Sequence, residues 1–116
     1  MELTLDERRC SGNVIVVHFS GRMVLGQEAT AATDRLRALL SQNATVILDL
    51  NDLHHVDPSG IGALLSLYAL AKRHGARLYF ASPSSKIAHL LETTKLTSIF
   101  PVFASEEAAI AASASS

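Results

Sequence analysis

One short segment, residues 54–65, carries the side chains best suited to chemistry, because it places two histidines, an aspartate and a serine close together. Asp57 precedes Pro58, which favours the extended backbone of a helix N-cap at Asp57 and itself suits the first helical position. Ser59 then falls in the first helical turn, near amide donors that lack partners within the helix. A phosphate on Ser59 would meet both the positive end of the helix dipole and the negative charge of Asp57. The segment therefore predicts either a well-capped helix start or a phosphorylation site that alters the local surface.

Two glycines, Gly60 and Gly62, occupy the next positions of the same predicted helix. Each glycine costs ~1 kcal/mol relative to alanine in a helix interior. Their presence indicates that something approaches the backbone closely, and this could be a binding partner or the predicted sheet beneath the helix.

An enzymatic site is the alternative interpretation of the same residues. Ser59 lacks the G-x-S-x-G turn of serine hydrolases, and His54 and His55 adjoin it in sequence instead of reaching it from separate elements. Adjacent histidines also point in different directions, which disfavours a shared metal ion. We therefore expect no catalytic residue, no metal and no cofactor.

The elements that position this segment follow from hydrophobic periodicity. The pattern predicts a start at Leu3 and Leu5, a turn at residues 11–13, and an order of ββαβαβαβα. Strands are expected at residues 14–19, 46–50, 77–81 and 99–102, and helices at 26–40, 57–75, after 82–85, and from 105. This order implies an α/β fold with a mostly parallel mixed sheet, an antiparallel edge strand and about four helices.

The nearly continuous aliphatic run at residues 46–50 is typical of a central strand, and it leads towards Asp57 at the carboxyl edge of the sheet, where α/β proteins bind ligands. Ser82 and Ser84 follow the next parallel strand, in a predicted N-cap turn, so we expect them on the same rim as Ser59. The helix after Asp57 is predicted to bury one stripe, made of Ile61, Leu64, Leu65 and Tyr68.

Composition excludes several classes of function. Ten Lys and Arg against eleven Asp and Glu give a formal net charge of −1, which disfavours nucleic acid and polybasic membrane binding. Cys10 is the only cysteine, so the chain cannot form an internal disulfide. The N-terminus lacks the features of a signal peptide, and the apolar run at residues 61–71 is too short to span a bilayer. We expect a cytoplasmic domain at residues 1–112 with a flexible tail at 113–116.

Several motifs together resemble the STAS domain, the sulfate transporter and anti-sigma factor antagonist family. The central motif resembles that family's hydrophobic-Asp-Ser-Ser-Gly-hydrophobic-Gly signature, and three other segments agree in order and spacing. The matching stretches cover residues 56–65, 19–21, 46–50 and 90–96. The resemblance extends over nearly the whole chain, from about residue 1 to residue 112, and implies the STAS fold.

The resemblance also implies a stand-alone bacterial anti-sigma factor antagonist. Such a protein binds an anti-sigma factor that is a serine kinase with a histidine-kinase-like ATPase fold, and thereby releases the sigma factor. Phosphorylation at the position of Ser59 ends the binding, and a PP2C-type phosphatase resets the cycle. We expect a monomer or weak dimer with these partner-binding residues: Arg22, Met23, Asp57, Pro58, Ser59, Gly60, Ile61, Ser82 and Ser84.

Two departures from the family pattern bear on this function. Pro58 replaces the first motif serine, which leaves the acceptor Ser59 in place but stiffens the approach to it. Val24 stands where the family's Gly-Glu-Leu-Asp loop carries an acidic residue facing the phosphorylation site. An adaptor subunit of a transporter or stress-signalling complex, docking through the same rim without phosphorylation, is the alternative.

Overall fold

A single five-stranded sheet organises the part of the chain described by the computed structural model, which is residues 3–10, 12–24, 26–42 and 44–114. The strands are β1 (Leu3–Arg9), β2 (Val14–Met23), β3 (Thr45–Val56), β4 (Arg77–Ala81) and β5 (Val102–Phe103). They lie in chain order across the sheet, with β1 and β2 antiparallel and every later pair of neighbours parallel.

Four helices complete the described elements: α1 (Gln27–Ser41), α2 (Pro58–His74), α3 (Ser85–Thr93) and α4 (Glu106–Ala114). The predicted fold class is confirmed: a mixed sheet with one antiparallel edge strand and four helices. No helix among the described residues is both long and apolar enough to traverse a membrane.

The sheet separates two apolar clusters, because successive strand residues point to opposite faces. The larger cluster joins alternate residues of β3, Val46, Leu48 and Leu50, to the buried faces of α1, α2 and α3. Ile47 belongs to the smaller cluster on the opposite face, where Ala109 of α4 contributes. Strand β3 is therefore covered on both sides, as its aliphatic run predicted.

Strands β2 and β3 both continue beyond their predicted ends at residues 19 and 50. Their register shifts between His18 and Ser20 and again between Gly21 and Arg22. Leu50, Leu53 and Val56 are all buried, at a three-residue spacing that a regular strand cannot place on one face. Because alternation stops at this irregular stretch, the sequence pattern ended β3 too early.

The buried stripe of α2 differs from the predicted one. Its buried residues are Gly60, Leu64, Leu67 and Ala71, whereas Leu65 is 37% exposed. Ile61 and Tyr68 are only half-buried. The prediction was wrong at Leu65 because it followed the large side chains, while the small residues Gly60 and Ala71 allow the helix to approach the sheet.

The C-terminal third of the chain also differs in detail. The strand predicted at 99–102 begins only at Val102, because a 3-10 turn, Leu96–Ser98, precedes it, and Ile99 between them is 48% exposed. Helix α4 passes the expected boundary at residue 112, because Arg77 Nη1 donates to the carbonyl oxygen of the buried Ser113 at 3.1 Å. Residues 115 and 116 of the expected tail, residues 1 and 2 of the expected domain, and Ser11 of the expected turn lie outside the described residues.

Candidate functional site

The start of α2 is fixed by Asp57, which is its N-cap. Asp57 has extended backbone angles (φ −86°, ψ 175°), and its Oδ1 accepts a hydrogen bond from the Gly60 amide at 2.8 Å. Its own amide donates to the Met23 carbonyl at 3.1 Å, which ties the cap to the end of β2. Pro58 at the first helical position fits the restricted geometry that the sequence predicted.

Ser59 is exposed in the first turn, and its Oγ donates a hydrogen bond to the same Asp57 Oδ1 at 2.7 Å. The carboxylate therefore accepts the hydroxyl's hydrogen bond, and the serine side chain stays exposed to solvent. An exposed hydroxyl with this orientation is accessible to an electrophile such as a nucleotide γ-phosphate, with a carboxylate adjacent that can accept its proton.

The two glycines have different surroundings. A Cβ on Gly60 would lie 2.7 Å from the Met23 carbonyl oxygen and 2.7 Å from Val56 Cγ1. Gly60 is therefore explained by the close packing of α2 on β2 and β3. Around Gly62 an added Cβ would meet nothing within 4 Å, so this position is open to solvent or to a partner.

Beside Ser59 lies a groove of about 220 Å³ between α1 and α2. Sequence reasoning missed its α1 wall, because no motif there suggested function and the pairing of two helices is a tertiary feature. The wall carries an exposed charge pair in which Arg37 Nη1 lies 3.4 Å from Asp34 Oδ1. The groove is lined by Gly26, Ala29, Thr30, Thr33, Asp34, Arg37, Ser59, Gly60 and Ala63.

Ser82 and Ser84 follow β4, which runs parallel to β3, but neither of them lines the groove beside Ser59. Ser82 lines a separate groove of about 460 Å³ together with Asp49 and Glu106, beside α4. Ser84 Oγ donates to the Leu53 carbonyl at 3.1 Å and accepts from the Ile87 amide at 3.4 Å. Ser84 is thus the N-cap of α3 and also links that helix to β3.

The second groove contains two interacting carboxyl groups. Burial raises the pKa of Asp49, which is 8% exposed, and the neighbouring Glu106 raises it further, although the Asn51 amide donates to its Oδ1 at 3.0 Å. The hydrogen bond from Asp49 lowers the pKa of Glu106, as does Arg8, whose Nη2 lies 2.5 Å from Glu106 Oε1. The opposite shifts in pKa indicate that the two carboxyl groups interact with each other beside the start of α4.

The end of β2 contributes Arg22 to the surface but not Met23. Arg22 is exposed and pairs in register with His55. Met23 is 0% exposed, so its side chain is part of the core and is not available for the predicted partner contact. Val24 is half-buried, and it offers no charge to the site.

The Ser59 hydroxyl and the histidines have different partners. Ser59 Oγ donates to Asp57, while His18 Nε2 lies 2.9 Å from Asp52 Oδ2 on the sheet. His54 is exposed, and His55 is half-buried. Within the described ranges, no group of three or more His, Cys, Asp or Glu residues could hold a metal ion.

Comparisons with known proteins agree with the geometry. Residues 7–109 match the family model of the STAS domain. The chain is 24% identical over 110 residues to the anti-sigma-B factor antagonist of Bacillus subtilis strain 168, covering 95% of this chain and 99% of that protein.

Three solved structures share the fold. An anti-sigma factor antagonist from Mycobacterium paratuberculosis superposes with a TM-score of 0.82 at 18% identity, covering 96% of this chain and 93% of that one. The anti-sigma factor antagonist SpoIIAA in its unphosphorylated form gives 0.74 at 20% identity, over 92% and 93% of the two chains. The Bacillus cell fate determinant SpoIIAA in its phosphorylated form gives 0.70 at 21%, over 92% and 96%.

Proposed function

The chain belongs to the STAS domain family, and from this premise we propose that it is an anti-sigma factor antagonist whose binding is switched off by phosphorylation of Ser59. The observation that carries this proposal is the exposed Ser59 hydroxyl at the N-terminus of α2, bonded to Asp57 at 2.7 Å. The relatives named as antagonists support the same function, and one of them has been solved in a phosphorylated form.

Electrostatics give the physical basis of the switch. A phosphate adds about −1.5 to −2 charges at neutral pH, to a chain whose formal net charge is −1. It would also lie beside the Asp57 carboxylate, so the N-terminal surface of α2 would change from a single capping charge to a strong anionic patch. A partner surface that fits the neutral serine would then be repelled by the added negative charge, and binding would remove water from a phosphate that gains no partner charge.

The proposed contact surface follows the carboxyl edge of the sheet around Ser59. Arg22, Pro58 and Ser59 are exposed there, and Asp57 and Ile61 are half-buried. We propose a cytoplasmic protein, monomeric or weakly dimeric, that binds an anti-sigma factor with a histidine-kinase-like ATPase fold. A PP2C-type phosphatase would remove the phosphate. The chain itself has no enzymatic role in this scheme and needs no cofactor.

The test compares binding of the cognate anti-sigma factor to three variants by calorimetry. Ser59→Ala should bind like the unphosphorylated protein, and Ser59→Asp should bind about tenfold or more weakly, since a like-charge contact costs over 1.4 kcal/mol. Ser41→Asp is the control, because Ser41 is exposed at the end of α1, on the opposite edge of the sheet. Equal affinity of Ser59→Ala and Ser59→Asp would contradict the switch.

A phosphorylation-independent adaptor is the second candidate, and Val24 is the observation that favours it. A half-buried valine at the end of β2 removes the acidic group that the family pattern places towards the serine. In that case the rim would dock into a transporter or stress-signalling complex, with Ser59 serving only as part of the helix start. Genes for transporter subunits beside this one, in place of a kinase and a sigma factor, would favour the adaptor.

A further inference from the structure

Helix α2 carries an apolar strip on its outer side that the core leaves partly uncovered. The strip consists of Ile61, Leu65 and Tyr68, spaced at i, i+4 and i+7, and of Ile99 beyond the 3-10 turn. The Tyr68 ring packs edge-on against Phe100, with centroids 5.4 Å apart, which joins α2 to the chain segment that carries Ile99. Leu65 and Ile99 are the exposed large hydrophobic residues of the described chain, at 37% and 48%.

Two exposed lysines, Lys72 and Lys95, lie next to residues of this strip. Residues 58–100 hold half of the chain's Lys and Arg residues but only one of its eleven acidic residues, Glu92. Lys72 Nζ lies 5.4 Å from the Tyr68 ring centroid, and Lys95 begins the 3-10 turn that precedes Ile99. The five basic residues of the segment are Lys72, Arg73, Arg77, Lys86 and Lys95. Arg77 belongs to the other side of the sheet, where its Nη1 donates to the Ser113 carbonyl oxygen of α4 at 3.1 Å, so Lys72 and Lys95 supply the positive charge beside the strip.

We propose that the strip is a docking surface for an acidic amphipathic helix of a partner protein, and that it meets the Ser59 contact only at Ile61. Three apolar residues one helical turn apart match the spacing with which such helices are recognised. From Ile61 to Lys72 the strip is about 16 Å long, which fits about three turns of a partner helix. Acidic residues flanking the partner's apolar face would pair with Lys72 and Lys95.

An anionic membrane is the competing occupant, and the structure favours the helix. Membrane-surface binding needs a broad apolar face that inserts among the lipids. Here only Leu65 and Ile99 are strongly exposed among the described large hydrophobic residues. A narrow line of half-covered side chains suits a helix lying along α2 better than insertion into lipid.

The test is an NMR titration of the ¹⁵N-labelled full chain with a synthetic helical peptide of about 16 residues, bearing leucines at i, i+4 and i+7 and glutamates beside them. Amide shifts should concentrate at Leu65, Tyr68, Lys72 and Ile99. A peptide with lysines in place of the glutamates is the matched probe, and it should bind much more weakly. Shifts spread over other surfaces, or equal affinity for both peptides, would overturn the proposal.

Single substitutions then locate the contact. Leu65→Ser should weaken peptide binding about five- to tenfold, and Lys72→Glu should weaken it several-fold at low salt, because one loses apolar burial and the other charge pairing. Arg9→Glu, an exposed charge reversal on β1, should change the affinity less than twofold. Unchanged affinity in both strip variants would overturn the proposal.

Two further experiments distinguish the helix-docking surface from a membrane-binding surface and from an extension of the Ser59 site. Vesicles of phosphatidylserine should not sediment the chain more than phosphatidylcholine vesicles do, and Leu65-dependent sedimentation with phosphatidylserine would assign the strip to membranes instead. Ser59→Asp should retain most of the peptide binding, since Leu65, Tyr68 and Lys72 lie about 9, 14 and 20 Å along the helix from Ser59, beyond the screening length of about 8 Å in physiological salt. Loss of peptide binding in Ser59→Asp would show that the strip is part of the Ser59 site and would overturn the proposal of a second docking surface. Failure of either proposal would still leave the other open to its own test.

Discussion

Replacing Gly60 and Gly62 separately by alanine should change stability in opposite directions. Both positions gain about 1 kcal/mol in helix propensity. At Gly60 the new Cβ would lie 2.7 Å from two atoms, about 1 Å inside ordinary contact. One of them is the Met23 carbonyl oxygen, a backbone atom that also accepts the Asp57 amide at 3.1 Å. Relieving the overlap costs about 1–3 kcal/mol for overpacking and about 1 kcal/mol for weakening that hydrogen bond.

The expected net effects are a loss of about 1–3 kcal/mol for Gly60→Ala and a gain of about 0.5–1 kcal/mol for Gly62→Ala. Urea unfolding followed by circular dichroism measures both. With an m-value of about 1–3 kcal/mol/M for a small domain, the two midpoints should differ by about 0.5 M or more. If Gly60→Ala proved as stable as Gly62→Ala, the close packing of α2 against Met23 and Val56 would be refuted.

Three further substitutions test other parts of the fold, each by urea unfolding. Ser84→Ala should lower the free energy of unfolding by about 1–2 kcal/mol, since it removes the α3 cap and the hydrogen bond to β3. The control Ser85→Ala, at the exposed neighbouring position, should change it by no more than about 0.5 kcal/mol. Equal effects of the two substitutions would contradict the role of Ser84. The Asp49→Asn variant should be more stable relative to the wild type at pH 7 than at pH 4. Because the pKa of Asp49 is raised in the folded chain, the stability that this residue contributes below the ordinary carboxyl pKa is lost as pH rises. A stability difference that does not change with pH would contradict this. Arg35→Gln should lower stability slightly at pH 7 and less at pH 3. The lowered pKa of Glu7 contributes fully above the ordinary carboxyl pKa, and the contribution is lost as pH falls through the folded pKa. An equal cost at both pH values would contradict the ion pair.

Sequence periodicity predicted the order of elements and the mixed sheet, because the strands of this chain alternate or are continuously aliphatic. The same criterion failed where alternation breaks down. Residues 51–56 contain Leu53 and Val56 among polar side chains, and only the irregular pairing with β2 reveals that they extend β3. Helix α2 was misjudged because its closest contacts with the sheet involve Gly60 and Ala71, which a search for large apolar residues overlooks.

The local chemistry of the site was predictable, whereas its surroundings were not. The Asp57 cap and the position of Ser59 in the first turn follow from Pro58 and nearest-neighbour rules. The burial of Met23, the groove between α1 and α2, and the orientation of Ser82 towards Asp49 depend on how separate elements pack. Such contacts between residues distant in sequence have no signature in a local motif.

The most direct test of the central claim is phosphosite mapping by mass spectrometry after incubation of the chain with its cognate anti-sigma factor and ATP. The proposed switch predicts one phosphate, located on Ser59, and no incorporation in Ser59→Ala. Asp57→Asn should slow the incorporation, since the carboxylate orients the hydroxyl at 2.7 Å. An unmodified chain, or a phosphate on another residue that Ser59→Ala leaves in place, would contradict the assignment of Ser59 as the switch.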